Sequence, residues 1–317
     1  MEIRGVREPA QPRSPLAGTI AVLLAACLFA TSGTIIKHLI QGYGLPPLTV
    51  AAMRIALAAL MLFVALGALD RKQLRIQVRD IPFFLLFGLI CVTLFQACWV
   101  YAVSLIDVGV ATVLNYTAPA WAALFAWPLL GERIDRRKGM ALLLTAAGVA
   151  LIVRIFDAEF LSLNVTGLLW GLGSGVTYGL YGIFSRRALR RYSFWTIITY
   201  TFAAGALFLL ATQPVLSLAL SPVEGSAEAS VGGMGPAFVQ PSAVLWLVIL
   251  ALFPTVVGYA LYTFGLRFLE ATVAAILATV EPVMAALWAT AFLGEWLTWT
   301  QIIGGGLVIA GVIALQR

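Results

Sequence analysis

The chain has 317 residues, of which 62% are hydrophobic and 11% charged, with a mean hydropathy of +0.99 and a formal net charge of +6. Soluble globular domains carry about 25% charged residues, so this composition excludes one and implies an integral membrane protein. A positive charge would also suit nucleic acid, but the Lys and Arg residues sit in short segments between apolar runs, where membrane orientation explains them.

Taken in order, residues 1–15, with three prolines, predict a flexible cytosolic tail. Ten apolar runs follow, near residues 17–40, 47–69, 81–103, 108–130, 136–154, 166–185, 194–213, 242–266, 271–293 and 298–316. A bilayer core about 30 Å thick needs roughly 20 apolar residues per spanning helix. Continuous runs of that length argue for helices over the alternating segments of a β-barrel. The first run is too long for a signal-peptide core and no small-residue cleavage site closes it, so it reads as a permanent span. The expected fold class is all-α integral membrane with ten transmembrane helices. Cys27, Cys91 and Cys98 fall inside predicted spans, where a thiol behaves as a small buried hydrophobe, and no disulfide is expected.

Placing the N-terminus inside puts 17 of the 20 Lys and Arg residues in cytosolic segments; Lys37 and Arg154 fall at outer ends, and Arg54 lies within a span. Both termini are therefore predicted to be cytosolic, in a cell (inner) membrane.

The chain contains an internal duplication. Residues 110–133 return 163 residues later as 273–296, with eleven of 24 positions identical, including Pro119 with Pro282, Gly131 with Gly294 and Glu132 with Glu295. At the same offset Asp107 matches Glu270, and Ala147-Gly148-Val149 matches Ala310-Gly311-Val312. Near the start of each half the offset is 149, pairing Phe29, Gly33 and Lys37 with Tyr178, Gly182 and Arg186, so 14 residues are inserted between the anchors. The polar run 214–241 is the place for them and reads as an extracytoplasmic loop. The predicted domains are a five-helix repeat over 16–155 and a second over 156–317. An odd number of helices per repeat inverts the second relative to the first, the geometry that lets two halves rock about a midplane site in alternating access.

Helix ends are also legible. Gly131 and Gly294 suit the left-handed position after a helix. Asp135 and Thr298 suit N-caps, the latter in a capping box with Gln301. Glu132 and Glu295 read as acids favourable to the dipole of the helix that follows; the alternative is a gating role. Gly171, Gly173, Gly175, Gly179 and Gly182 read as a close-packing face of the sixth helix, since no strand precedes them as a nucleotide loop would require.

Charges near the bilayer centre cost about 2.5–3.5 kcal/mol and are usually functional. Arg54 lies in the second span and Glu281 near the middle of the ninth, just before Pro282; their counterparts in the other half are Ala203 and Ala118. Such asymmetry provides an acid and a base for one substrate, and the competing reading is an ion pair that only ties the halves together. Pro282 frees a carbonyl in the preceding turn and opens a notch beside Glu281, as Pro119 does beside Asn115, Tyr116 and Thr117. Tyr178 and Tyr181 are further candidates for a pocket wall. Trp99 aligns with Tyr262, so an aromatic recurs in helices three and eight, and these two are favoured. The candidate substrate-binding set is Arg54, Glu281, Trp99, Tyr262, Asn115, Tyr116, Tyr178 and Tyr181. Burial favours the neutral form of Glu281 and a nearby Arg54 guanidinium favours its carboxylate. A change in their separation would then link protonation to conformation, as proton-coupled exchange requires.

Two five-helix repeats, each with a proline-bearing fourth helix followed by Leu-Gly-Glu (Leu130-Gly131-Glu132 and Leu293-Gly294-Glu295), resemble the EamA-type transporters of the drug/metabolite transporter superfamily. The resemblance covers about residues 17–316. It implies a secondary transporter, more often an exporter, of small polar or amphipathic metabolites such as amino acids. Its partners would be such a metabolite, the lipid bilayer and protons, with no nucleic acid, as a monomer or homodimer. The other classes are a membrane-embedded enzyme and a passive facilitator or structural membrane protein. The enzyme case is weak: His38 is the only histidine and stands at a helix end, and no metal-ligand cluster is evident. No catalytic residue, metal or cofactor is expected.

Overall fold

The computed structural model describes residues 15–106, 108–152, 164–219, 240–293 and 298–316. The predicted tail up to residue 14, Asp107, Arg154, the greater part of the 214–241 insertion, Gly294 and Glu295 lie outside these residues. Among the described residues the chain is helical throughout, with no strand.

The helices are α1 (Pro15–Tyr43), α2 (Pro47–Leu69), α3 (Ile81–Gly88), α4 (Phe95–Leu105), α5 (Val108–Asn115), α6 (Ala118–Leu130), α7 (Arg136–Ile152), α8 (Val165–Ala188) and α9 (Phe194–Ala219). They continue with α10 (Pro241–Leu250), α11 (Gly258–Gly265), α12 (Ala271–Ala278), α13 (Glu281–Leu293) and α14 (Trp299–Gln316). Prolines open α2, α3 and α10 within the first two helical positions, where a missing N–H costs nothing. α9 runs on through Pro214 to Ala219, past the end expected at residue 213. Among the described residues six stretches are long and apolar enough to cross a bilayer: Pro15–Ile40, Pro47–Leu69, Val78–Val103, Phe194–Thr212, Pro241–Gly265 and Ala271–Trp288. The other expected spans are helical but shorter or more polar: the α5–α6 stretch carries Asn115, Tyr116 and Thr117, α7 opens on Arg136, Arg137 and Lys138, α8 is rich in glycine, and α14 is apolar over the shorter Trp299–Ala314.

Two irregularities recur at the repeat offset. The first is a break. α5 gives way to α6 at Tyr116 and Thr117, and α12 gives way to α13 at Thr279 and Val280. In each case the proline stands second in the new helix and cannot donate to the carbonyl four residues back. A threonine in each break bonds back to the preceding turn: Thr117 Oγ1 donates to the Leu114 carbonyl at 2.6 Å, and Thr279 Oγ1 to the Ile276 carbonyl at 2.6 Å. The second is a π-helical segment. Leu89–Leu94 joins α3 to α4, and Ala251–Val257 joins α10 to α11. Wide turns of this kind are frequent at functional sites. In the second, Pro254 lies inside the segment and Thr255 Oγ1 donates to the Leu250 carbonyl at 2.7 Å.

Packing brings the first break to the middle of the bundle, because α4, α5 and α6 all lie against α8. A Cβ on Gly175 would stand 2.6 Å from the Leu114 carbonyl oxygen, and one on Gly179 would stand 2.6 Å from that of Ala118. Only glycine allows this approach, which confirms the close-packing reading of that face at these two positions. The capping expectations also hold. Gly131 is left-handed with φ 76°, the Asp135 carboxylate accepts from Lys138 N at 2.8 Å, and Gln301 Oε1 accepts from Thr298 N at 2.9 Å.

Candidate functional site

A cavity of about 520 Å³ lies between the two halves, between α1, α2, α4, α5, α8 and α13. It extends from the two helix breaks toward the end of the bundle that carries the α1–α2 turn, where Ile40, Pro47, Val103 and Ile152 line it. Its deep end is polar. Arg54 from α2 and Glu281, the first residue of α13, both face it.

The two charges do not form an ion pair, and among the described residues no carboxylate pairs with Arg54. The Arg54 Nε is buried without a hydrogen-bond partner, and so is the Asn115 Oδ1 at the end of α5. Tyr116, at the first helix break, lines the cavity together with Glu281, at the second. A buried guanidinium N–H without a protein partner is costly, so this donor is available to a ligand. This cavity therefore presents a guanidinium donor, a carboxylate and an amide acceptor to whatever enters it.

Aromatic side chains form the wall. Phe29 meets Tyr259 edge to face at 5.0 Å between ring centroids, and Phe95 lies 5.6 Å from Tyr178. Trp99 completes the lining one turn beyond Phe95. Of the eight residues expected from sequence, the cavity brings together Arg54, Glu281, Trp99, Asn115, Tyr116 and Tyr178. It leaves out Tyr181 and Tyr262, which are 1% and 4% exposed and belong to the central apolar core, with rings 6.0 Å apart. The Tyr181 hydroxyl is satisfied by Thr263 Oγ1 at 3.1 Å.

The reason lies in which end is closed. Trp99 sits on the side of α4 that faces the open end, whereas Tyr262, though matched to it in sequence, sits on α11 toward the closed end. Sequence reasoning missed Gln96, which lines the cavity and is otherwise buried. Its signal was available, since Gln96 is an uncharged polar side chain in mid-span that aligns with Tyr259, the residue of that helix facing the cavity. Phe29, Phe95, Ser32 and Thr255 were also missed, and nothing in their types separates them from packing residues.

At the opposite end polar contacts tie the halves together, beside a second hollow of about 960 Å³ that Glu132, Lys138, Arg186 and Glu270 help to line. Glu132 is 8% exposed and accepts from Ala271 N at 2.8 Å, Thr272 N at 3.2 Å, Thr272 Oγ1 at 2.8 Å and Arg186 Nη1 at 3.3 Å. This corrects the expectation that Glu132 serves the helix following it. α7 has Asp135 as its cap, and Glu132 caps α12 in the other half.

Comparison with known proteins agrees with this architecture. A crystal structure superposes with a TM-score of 0.74 at 19% identity, covering 94% of this chain and 96% of that one, a likeness that shows the fold. An Archaeoglobus fulgidus protein named "Uncharacterized transporter" is 27% identical over 95% of this chain and 96% of its own length. A protein of Streptantibioticus cattleyicolor named "Probable terminal-alkyne amino-acid exporter" is 26% identical over 94% of this chain and 92% of its own. The model of the EamA-like transporter family matches twice, over residues 16–154 and again over 165–316. These two matches span nearly the whole sequence, and the chain is a multi-pass membrane protein that belongs to the EamA-like transporter family.

Proposed function

We propose that the protein is a secondary transporter of the inner membrane that exports small zwitterionic metabolites, amino acids or their close relatives, by alternating access. Ten spans in two inverted five-helix repeats, with both termini cytosolic, provide the frame, and energy comes from proton coupling or exchange. The observation that carries this reading is the cavity's deep end. There the unpartnered Arg54 Nε and Asn115 Oδ1 stand with Glu281 in a buried space.

On this reading the Arg54 guanidinium docks a substrate carboxylate through paired N–H donors. Glu281 and the Asn115 carbonyl oxygen receive its ammonium, and Phe95, Trp99 and Tyr178 hold its side chain. A relative named as an amino-acid exporter supports this substrate class. On this reading turnover is translocation of the solute, with no covalent step. The membrane-embedded enzyme and the passive protein remain as alternatives, and flux through purified protein separates the three.

The test uses proteoliposomes preloaded with one radiolabelled solute at a time. A neutral amino acid should move, and move faster with an opposing pH gradient. The same molecule lacking its carboxylate, or acetylated on its amine, should not. Equal movement of all three would refute the zwitterion assignment.

A further inference from the structure

We infer that Glu132 and Lys138 are gate residues of the transport cycle, which together latch the end of the bundle opposite the cavity. Both lie in the first half and both find their partners in the second. Glu132 holds α12 and Arg186 of α8, as described, and Lys138, 8% exposed, donates to Glu270 at the start of α12 and to the Arg133 carbonyl at 2.8 Å. The inference rests on the alternating-access reading for its purpose but not for its geometry.

The chemistry favours a latch over a mere cap. The first N–H groups of any helix lack partners within it, and the positive end of the helix dipole attracts an anion. A serine at position 270 or water would meet the same need for α12 locally. Here the need is met by a carboxylate from 139 residues away in the sequence, so α12 is fully capped only while the halves are together at this end. Beyond the latch lies packed apolar core, with Ala271 and Ala274 wholly buried and Leu277 nearly so. Separating the halves here would strip Glu132 of its four bonds at once. Hydrogen bonds to a charged group contribute about 1.5–3 kcal/mol each, so the latch opposes opening cooperatively.

The duplicated sequence also distinguishes the two ends. Glu132 and Arg186 have counterparts of the same charge in Glu295 and Lys37, but Lys138 and Glu270 correspond to Gln301 and Asp107. A glutamine carries no charge, and Gln301 Oε1 is already bonded to Thr298. The second ion pair therefore belongs to one end alone. It biases the protein toward closure at the α6–α7 end and opening at the α1–α2 end, the arrangement the structure displays.

The test is cysteine accessibility on purified full-length protein in which Cys27, Cys91 and Cys98 have been replaced by alanine. A water-soluble maleimide is used on two reporters: Ser32→Cys, in the cavity lining, and Ala274→Cys, behind the latch. With Glu132 and Lys138 intact, Ser32→Cys should react rapidly and Ala274→Cys slowly. Glu132→Gln should accelerate labelling of Ala274→Cys at least about tenfold and slow that of Ser32→Cys. Lys138→Gln, which leaves the α12 cap in place, should move both rates the same way by about two- to fivefold, less at high salt because Glu270 is half exposed. Unchanged rates in monodisperse, cooperatively melting Glu132→Gln overturn the inference. If that variant does not fold, unchanged rates in Lys138→Gln overturn it. Because the readout is accessibility, shifted rates without solute flux would support the latch while defeating the transport reading, and flux without shifted rates would do the reverse.

Discussion

Replacing Arg54 by lysine keeps a cation at the deep end of the cavity but removes the planar fork that can hold a carboxylate through two parallel N–H bonds. No carboxylate of the described protein pairs with Arg54, so the substitution breaks no ion pair, and its effect should fall on the ligand. Losing one of two charge-assisted hydrogen bonds costs about 1.5–3 kcal/mol, which corresponds to roughly 10- to 100-fold weaker binding. The assay is equilibrium binding of a labelled neutral amino acid to purified protein, alongside the amine that lacks only the carboxylate. The amino acid should lose that factor, the amine should bind alike to both proteins, and the melting temperature should hold within a few degrees. If both ligands weaken equally, or if only stability falls, Arg54 does not receive the carboxylate and the zwitterion assignment is wrong.

Glu281→Gln keeps the shape of the side chain but cannot exchange a proton. It should weaken binding of the zwitterion roughly tenfold or more, since a charge-assisted hydrogen bond to the ammonium is worth about 1.5–3 kcal/mol, while transport no longer responds to an imposed pH gradient. Gly175→Ala places a methyl group 2.5 Å from Thr117 Oγ1 and 2.6 Å from the Leu114 carbonyl, so unfolding should become easier by about 1–3 kcal/mol. Gly306→Ala, with nothing within 4 Å, should be neutral or slightly stabilising in the same melting experiment. Reporter fusions after Lys138 and Arg191 should show the cytosol and one inserted within residues 221–241 should show the outside. A cytosolic signal from the last would remove the inverted-repeat arrangement.

Much of this architecture was legible because a few residues have only one physical use. Pro119 and Pro282 predicted notches in the fourth helix of each half, and the structure breaks both helices there, because a proline in the second position of a new helix cannot bond back across the gap. Gly131, Asp135 and the Thr298–Gln301 pair marked helix ends by the same local logic. The π segments were not legible. Pro254 lies in one, but Cys91 holds the matching position in the other, so the wide turn there follows from packing rather than from a residue that enforces it. The partner of Glu132 was hidden for a related reason: local sequence offered α7, whereas the contact that forms reaches across to α12. Tyr262 shows a third limit. Alignment made it equivalent to Trp99, and the two positions are equivalent in sequence, but one end of the bundle is open and the other closed, so only Trp99 reaches the cavity. The charged and amide candidates therefore all line the cavity, whereas the aromatic ones divide between the cavity wall and the apolar core.

The central claim is that this cavity is where a solute crosses the membrane. Its most direct test is counterflow in proteoliposomes holding purified protein, screened over the common amino acids and then repeated with Arg54→Met and Glu281→Gln. The account predicts protein-dependent counterflow of at least one neutral amino acid, abolished by Arg54→Met and still present in Glu281→Gln, since exchange down no net gradient needs no proton. Protein-dependent counterflow that survives Arg54→Met unchanged, or its absence for every carboxylate-bearing solute with correctly folded protein, would contradict it.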